Sequence, residues 1–212
     1  MHIPDGFLSV NVMASTWVIS AVGVGYCLKK TALMLKDRMV PLVGVMSAFI
    51  FAAQLLNFPV LGGTSGHLLG GVLAAVLAGP YAAAIVLSCV LAVQCFIFQD
   101  GGLTALGANI FNMAIVGTMG GYLVYRIING ISGGSKGIMT GAAFASWFSV
   151  VVAASSCAVE LAISGTSPFK VVLPAMTGVH TLIGIGEAVI TYLVIGFVIK
   201  VRPDLIYKIK ER

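Results

Sequence analysis

The sequence predicts an all-α membrane protein whose single domain, residues 1–212, crosses the bilayer seven times, with the N-terminus outside and the C-terminus in the cytoplasm. Two observations lead to this fold class. Of the 212 residues, 59% are hydrophobic and only 9% are charged, whereas soluble globular chains carry about 25% charged residues. Long apolar runs divide the chain. Helix is expected for each run, because an open strand would leave backbone groups unsatisfied in hydrocarbon.

Seven apolar stretches are candidates for crossing helices. They are residues 10–28, 39–57, 66–79, 81–99, 104–128, 138–163 and 171–200. The third stretch is short and rich in glycine, so a re-entrant segment is the alternative to a crossing. The positive-inside rule favours a crossing, because seven crossings leave only Lys170 outside and put the other eleven of the 12 basic residues in the cytoplasm. This placement also accounts for the net charge of +5 without a nucleic-acid partner.

The topology divides the chain into three parts. Residues 1–9 form an extracytoplasmic metal-binding lead, residues 10–200 form the helical bundle, and residues 201–212 form a basic cytoplasmic tail. The lead, MHIPDGFLS, has neither the basic n-region nor the apolar core of a signal peptide. We therefore expect Met1 to stay in place, with its amine free.

Polar residues within the apolar stretches concentrate in the outer half of the predicted bilayer. Such groups are costly in a spanning helix and usually face the bundle interior or a water-filled cavity. One polar site that opens outward explains the whole set, although interhelical hydrogen bonds could explain any single member. The candidates for lining this site are Thr64, Ser65, Gln94, Asp100, Asn109, Asn112, His180 and Glu187. For Glu187, a structural hydrogen bond and direct ligation are both open.

His2 indicates the chemistry of the site. A free N-terminal amine, the backbone nitrogen of residue 2 and the His2 imidazole can close two small chelate rings around one ion, once the amide loses its proton. Three nitrogens in one plane suit Ni2+ or Cu2+. His67, which lies between glycines in LGGTSGHLLGG, is the natural fourth ligand, and the seven-crossing topology puts it on the same side as His2.

Four segments resemble the CbiM/NikM family, whose members are the membrane substrate-capture subunits (S components) of energy-coupling-factor transporters for cobalt or nickel. The segments are MHIPDGFLS, GGTSGHLLGG, DGGLTALGANIFNMA at 100–114 and HTLIGIGEAVIT at 180–191. The resemblance covers essentially the whole chain. It implies Met1, His2 and His67 as metal ligands, Ni2+ or Co2+ as the transported substrate, no organic cofactor, and a prokaryotic inner or plasma membrane as the location.

The resemblance also implies partners. They are a transmembrane coupling protein (T component) and two cytoplasmic ATPase subunits, and a small accessory membrane subunit is left open. The chain has no GxxxxGK[ST] phosphate loop with which to use ATP itself. Gly44, Ala48 and Ala52 follow one another at four-residue spacing, and such ridges of small residues allow close helix packing. Docking of the coupling protein and packing inside the bundle are both open for this ridge.

Other functions fit the sequence less well. An intramembrane metalloprotease would require a motif such as HExxH, which the sequence lacks. A secondary transporter tends to place its site near the midplane, between internal repeats, and only Glu187 favours that reading. A cobalt-specific subunit that serves cobalamin synthesis is a closer alternative. The planar nitrogen set favours nickel over cobalt, whereas only the family resemblance excludes copper.

Overall fold

The computed structural model describes residues 1–34, 39–60 and 64–207. Several predicted cytoplasmic basic residues, and part of the segment between the second and third apolar stretches, lie outside the described residues. They are Lys36, Arg38, Lys208, Lys210, Arg212 and residues 61–63.

Seven helices make up most of the described chain, and each predicted apolar stretch overlaps one of them. They are α1 (Val10–Met34), α2 (Val40–Gln54), α3 (Gly71–Ala78), α4 (Pro80–Phe98), α5 (Leu106–Ser132), α6 (Gly134–Ile163) and α7 (Phe169–Val201). Five of them, all but α2 and α3, are long and apolar enough to cross a bilayer. A 3-10 turn, Pro203–Leu205, follows α7.

The surface of the bundle is apolar where a soluble protein would be charged. Leu182, Val22 and Phe197 are 71%, 69% and 66% exposed. In α1, only 17% of the most apolar window is buried inside the protein. A surface of this kind is solvated by lipid, which agrees with the predicted membrane protein.

The two ends of the bundle are marked by different contacts. Helix α7 begins close to residues 1–9, since Thr166 Oγ1 donates a hydrogen bond to the Phe7 carbonyl. Its 33 residues carry the chain about 50 Å at 1.5 Å per residue. Beyond α7, the Tyr207 amide donates to the Val76 carbonyl of α3, with a nitrogen–oxygen distance of 2.8 Å. We call the end at Phe7 the site end and the end at Tyr207 the tail end.

Helix α3 is short and enclosed. All eight of its residues are buried, and its length is about 12 Å. The sequence predicted a helix from residue 66, but the helix starts only at Gly71, because Gly70 has a left-handed φ of 74° and the preceding residues 67–70 are irregular. Irregular backbone at membrane depth is tolerated only where protein or water surrounds it, and His67 and Leu69 are almost completely buried.

A small β-hairpin, which the sequence did not predict, precedes the irregular segment. Strand β1 (Phe58–Val60) pairs antiparallel with β2 (Thr64–Gly66), and Pro59 lies opposite Ser65. In the sequence this region is only the gap between the second and third apolar stretches, because three-residue strands give too few alternating positions to reveal a pattern. The hairpin fixes the backbone of Ser65 two residues before His67.

Helix α5 contains a long π-helical segment and packs closely on α1. Residues Phe111–Gly120 are π-helical, and the Thr118 hydroxyl donates to the Met113 carbonyl at 2.8 Å. π-helical turns are frequent near functional sites. One turn before this segment, the Gly107 carbonyl accepts a hydrogen bond from Ser20 Oγ at 2.6 Å. A Cβ atom at Gly107 would lie 2.7 Å from the Trp17 Cα, so the two backbones are in direct contact.

The contact at Gly107 generates a stability prediction. Gly107→Ala should lower the free energy of unfolding by about 1–3 kcal/mol, because backbone atoms of α1 cannot move aside as a flexible side chain would. The measurement is the melting temperature of the purified protein in detergent. Gly178→Ala in α7 is the matched control, since a Cβ there meets nothing within 4 Å. Equal melting temperatures for the two variants would contradict this account of the α1–α5 contact.

Candidate metal centre

The first residues of the chain are folded into the bundle. Met1 and Ile3 have no exposed surface. The Ile3 amide donates to Asn109 Oδ1 at 2.9 Å, and its carbonyl accepts from Asn109 Nδ2 at 3.3 Å and from the Gly102 amide at 2.8 Å. Asn109 therefore clamps both backbone groups of Ile3, as a neighbouring strand would, and fixes the two residues before it.

The turn before α5 completes this clamp. The Asp5 carboxylate accepts hydrogen bonds from the amides of Leu103 and Thr104 and from the Thr104 hydroxyl, at 2.5–3.1 Å. These bonds hold the pKa of Asp5 below its ordinary value. Only glycine fits at residue 102, where a Cβ would lie 2.2 Å from the Asp5 nitrogen. Asp5 thus anchors the N-terminal residues and has little capacity left for a ligand.

Three nitrogens of Met1 and His2 gather around one hydroxyl. The Met1 amine donates to the Ser65 carbonyl, and it lies 3.2 Å from Ser65 Oγ. The His2 amide lies 3.3 Å from the same oxygen, and His2 Nδ1 lies 3.4 Å from it. The amine, the amide and the imidazole nitrogen therefore point toward a common space.

Each of the two histidines uses one ring nitrogen in a hydrogen bond. The other ring nitrogen of each keeps its lone pair, which is directed into the site. His2 Nε2 donates to Gln94 Oε1 at 3.0 Å, so the neutral ring keeps its lone pair on Nδ1. His67 Nδ1 donates to the Leu68 carbonyl at 2.8 Å, so its lone pair is on Nε2, which is buried without a hydrogen-bond partner. The two rings stack with centres 4.5 Å apart and planes inclined by 28°.

Burial keeps these nitrogens unprotonated. Desolvation lowers the pKa of the Met1 amine from 8.0 to about 5 and the pKa of His2 from 6.5 to about 3. Both groups are therefore neutral at pH 7, and metal ligands must be deprotonated.

Asp100 supplies a carboxylate at the mouth of this cluster. Its Oδ1 lies 3.4 Å from His2 Nδ1, and its Oδ2 accepts a hydrogen bond from Asn57 Nδ2 at 3.3 Å. Partial burial raises the pKa of Asp100. A pocket of about 750 Å³ opens beside His2 at this point, and Thr64 and Ser65 are among the residues that line it.

The backbone around His67 is fixed mainly by α7. The Glu187 carboxylate accepts the amides of Leu69 and Gly70 at 2.5 and 2.9 Å, which caps the start of α3. Gln54 Nε2 of α2 donates to the Leu69 carbonyl at 2.9 Å. On the other side of His67, the Thr64 hydroxyl contacts Met176 Sδ at 2.9 Å. Of the two roles left open for Glu187, the structure displays the hydrogen-bonding one.

Two further candidates are buried, and one of them lies beside the nitrogen cluster. His180 Nδ1 donates to the Met176 carbonyl at 2.7 Å, and the His180 ring lies near the Met1 amine, His67 and the backbone of Ser65. Asn112 Nδ2, by contrast, donates to Glu160 Oε2 at 2.7 Å. Within the described residues, no three side chains of His, Cys, Asp or Glu form a metal-binding group. The donors that converge are instead two backbone nitrogens and two imidazoles.

Three further polar residues have roles that the sequence did not reveal. Gln54 supports the Leu69 carbonyl, Asn57 contacts Asp100, and Glu160 accepts from Asn112. Their common position near one end of their helices indicated that they belong to a polar site. Their hydrogen-bond partners could not be predicted, since these depend on how distant helices pack.

The chain is similar to known metal transport proteins. A family model described as "Cobalt uptake substrate-specific transmembrane region" matches residues 2–205. The chain belongs to the CbiM family. Family members are nickel and cobalt transport proteins that work with other transport subunits, and with its apolar helices the chain is a membrane protein of this kind.

Relatives named for both metals are similar to the chain. A protein of Archaeoglobus fulgidus, provisionally named as a fused nickel transport protein, NikMN, is 40% identical over 208 residues, which are 97% of this chain and 68% of the relative. A protein of Methanocaldococcus jannaschii, provisionally named as a cobalt transport protein, CbiM, is 33% identical over 99% of this chain and 91% of the relative. The crystal structure of a truncated transition metal transporter superposes with a TM-score of 0.88, at 33% identity, over 94% of this chain and 99% of that chain.

The cap on α3 predicts the effect of changing Glu187. Glu187→Gln should lower the free energy of unfolding by about 1–3 kcal/mol, because the amide turns an N–H group toward a buried backbone donor. The measurement is thermal unfolding in detergent. Glu160→Gln is the control, since Glu160 is also buried but accepts from one side chain only, and a glutamine oxygen can keep that bond. A larger loss for Glu160→Gln than for Glu187→Gln would refute the assigned role.

Proposed function

We propose that the chain is the substrate-capture subunit of an ATP-driven energy-coupling-factor transporter in a prokaryotic inner or plasma membrane. It binds Ni2+, or Co2+, with high affinity at a site that faces outward. The ligands are the Met1 amine, the His2 amide nitrogen, His2 Nδ1 and His67 Nε2. Gln94, Asn109 and Glu187 position these ligands through the hydrogen bonds described above, and no organic cofactor takes part.

The observation that carries this proposal is the convergence of neutral nitrogens from Met1, His2 and His67. With metal–nitrogen bonds of about 2 Å, two imidazoles in neighbouring positions on one ion have ring centres about 4.4 Å apart. The rings of His2 and His67 are already 4.5 Å apart. In opposite positions their centres would be about 6 Å apart. The chelate requires the two imidazoles to be neighbours on the ion. His67, the fourth ligand, lies opposite the His2 amide nitrogen and therefore next to His2 Nδ1.

The proposed topology has seven crossings, with the site end outside and the tail end in the cytoplasm. It is supported by the path of residues 67–79, which runs from the cluster at His2 to the contact with Tyr207. Because α3 is enclosed by other helices, the irregular backbone before it does not have to meet lipid. The distribution of basic residues supports the same orientation.

The proposed partners are a transmembrane coupling protein, two cytoplasmic ATPase subunits and, as an open possibility, a small accessory membrane subunit. The small residues Gly44, Ala48 and Ala52 of α2 support a docking face for the coupling protein. All three are exposed, and a Cβ at Gly44 would meet nothing within 4 Å. Their exposure favours a docking face over packing inside the bundle, which is the alternative for this ridge.

Two alternatives carry less support. A cobalt-specific subunit that serves cobalamin synthesis would share the site, and relatives named for cobalt as well as nickel match the chain. An ion-coupled secondary transporter would use Glu187 near the membrane middle. That carboxylate already accepts two backbone amides, which leaves it a poor coupling site. Loss of uptake on removal of ATP separates the main proposal from a secondary transporter.

The role of the Met1 amine can be tested by adding one residue before Met1. The extra residue converts the amine into an amide and displaces it from the chelate, so nickel content should fall from one ion per chain to background. His2→Ala and His67→Ala should each have the same effect, whereas His180→Ala should weaken binding less. The measurement is metal analysis of the purified protein after nickel loading.

The melting temperature of the extended protein in the absence of metal establishes whether it is folded, because the added residue must displace the fully buried Met1. Equal nickel content in the folded extended protein and the native protein would refute the proposed ligand set.

The docking face can be tested separately from metal binding. Ala48→Leu should abolish co-purification with the coupling protein and ATPases, because the added side chain prevents close helix approach, and it should leave nickel content intact. Ala14→Leu is a matched control on the exposed surface of α1 and should retain the partners. Loss of nickel together with the partners in Ala48→Leu would show that the residue supports the fold instead.

A further inference from the structure

We propose that the Ser65 hydroxyl is the axial oxygen neighbour of the bound ion and that it sets the balance between cobalt and nickel. This inference rests on the proposed function. It concerns the space above the nitrogen plane, which the four nitrogen ligands leave undefined.

The nearly equal distances from Ser65 Oγ to the three nitrogens are those of an axial position in the proposed chelate. In the chelate, the Met1 amine and His2 Nδ1 lie on opposite sides of the ion, and the His2 amide lies between them. A point at equal distance from all three is on the line through the ion perpendicular to their plane. Ser65 Oγ is 3.2, 3.3 and 3.4 Å from the three nitrogens. With metal–nitrogen bonds of about 2 Å, the oxygen stands about 2.6 Å from the ion.

The hydroxyl also satisfies the three nitrogens before an ion arrives. A serine hydroxyl has one donor and two acceptor lone pairs. Here it accepts from the Met1 amine and the His2 amide, and its hydrogen is directed to the lone pair on His2 Nδ1. All three capacities are used. Ser65 therefore holds the three nitrogens in a convergent arrangement. Without this hydroxyl, the buried amine, amide and imidazole nitrogens would have to turn toward other hydrogen-bond partners.

Arrival of the ion changes what this oxygen faces. The amide proton is released to water in the pocket beside His2, and the three nitrogens turn their lone pairs to the ion. The bond that the His2 amide donates to Ser65 Oγ and the bond that the Ser65 hydroxyl donates to His2 Nδ1 are therefore lost. A lone pair of the hydroxyl is then free toward the ion. Ni2+ in a square plane of nitrogens gains little from a fifth ligand, whereas Co2+ readily binds one. The axial hydroxyl thus favours cobalt relative to nickel.

The backbone of Ser65 makes this position definite. Its carbonyl accepts from the Met1 amine, its strand pairs with Pro59, and its neighbour Thr64 contacts Met176 of α7. The oxygen is consequently fixed to the same segment that carries His67.

Asp100 provides a matched comparison. Its Oδ1 is also 3.4 Å from His2 Nδ1, but the structure gives it no hydrogen bond to the Met1 amine or the His2 amide. Loss of the Asp100 charge should weaken the binding of Co2+ and of Ni2+ to a similar extent. The attraction between a carboxylate and a divalent cation does not depend on which of the two metals is bound.

The test compares Ser65→Ala, Ser65→Thr and Asp100→Asn in the full chain. The affinities for Co2+ and Ni2+ are measured by competition with a metal-binding dye, and the visible absorption of the Co2+-loaded protein is recorded. Ser65→Ala should weaken Co2+ binding about tenfold and Ni2+ binding about threefold, where tenfold corresponds to about 1.4 kcal/mol. Its Co2+ spectrum should change in intensity. Ser65→Thr, which keeps the hydroxyl, should restore the affinity ratio and the spectrum, and Asp100→Asn should keep the native ratio.

An unchanged ratio and spectrum in Ser65→Ala would overturn the axial role. If the native protein itself bound neither ion, the proposed function would fail, so the two failures are distinguishable. If Ser65→Ala proved unstable, Ser65→Thr and Ser65→Cys would decide the question. Ser65→Cys replaces the hydroxyl oxygen with sulfur, and this replacement must change the Co2+ spectrum if the position is axial, whereas Ser65→Thr keeps the oxygen. An identical spectrum in Ser65→Cys would then reject the inference.

Discussion

The constraint on which the structure depends is the burial of an amine at residue 1. An amine that is removed from water must find hydrogen-bond acceptors, and here the carbonyl and hydroxyl of Ser65 supply them. The same burial makes the amine neutral at pH 7. A group that would ordinarily be a solvated cation is thereby converted into a nitrogen donor, and the surrounding side chains are arranged to keep it so.

Two separate parts of the bundle support the two halves of the nitrogen cluster. The N-terminal residues are held by α4 and α5, through Gln94 and Asn109. The segment that carries His67 is held by α7, through Met176 and Glu187. The donors are therefore set by helix packing and not by one local motif. Rigid support of this kind is what a selective metal site requires, because ligand geometry decides between metals more than raw affinity does.

Much of this arrangement could be predicted from the sequence, and the limits have physical causes. The seven helices follow from apolar length, and the proximity of His2 to His67 follows from topology together with chelate chemistry. The late start of α3 was not predictable, because it depends on the left-handed Gly70 and on a carboxylate from residue 187 that reaches residues 69 and 70. The π-helical part of α5 was equally hidden, since its composition is that of an ordinary apolar helix. The number of crossings and their orientation stay predictions.

The clamp on the N-terminal residues has a consequence for the order of folding. Met1 contacts Ser65, His2 contacts Gln94, and Ile3 contacts Asn109, at separations of 64, 92 and 106 residues. Contacts between such distant residues pay their loop-closure entropy before they gain stability. Residues 1–3 leave the ribosome before their partners do. They are accordingly fixed in place last, after α5 has been inserted. The cluster of nitrogens is thus a late product of assembly, and its formation reports that the helices behind it are already in place.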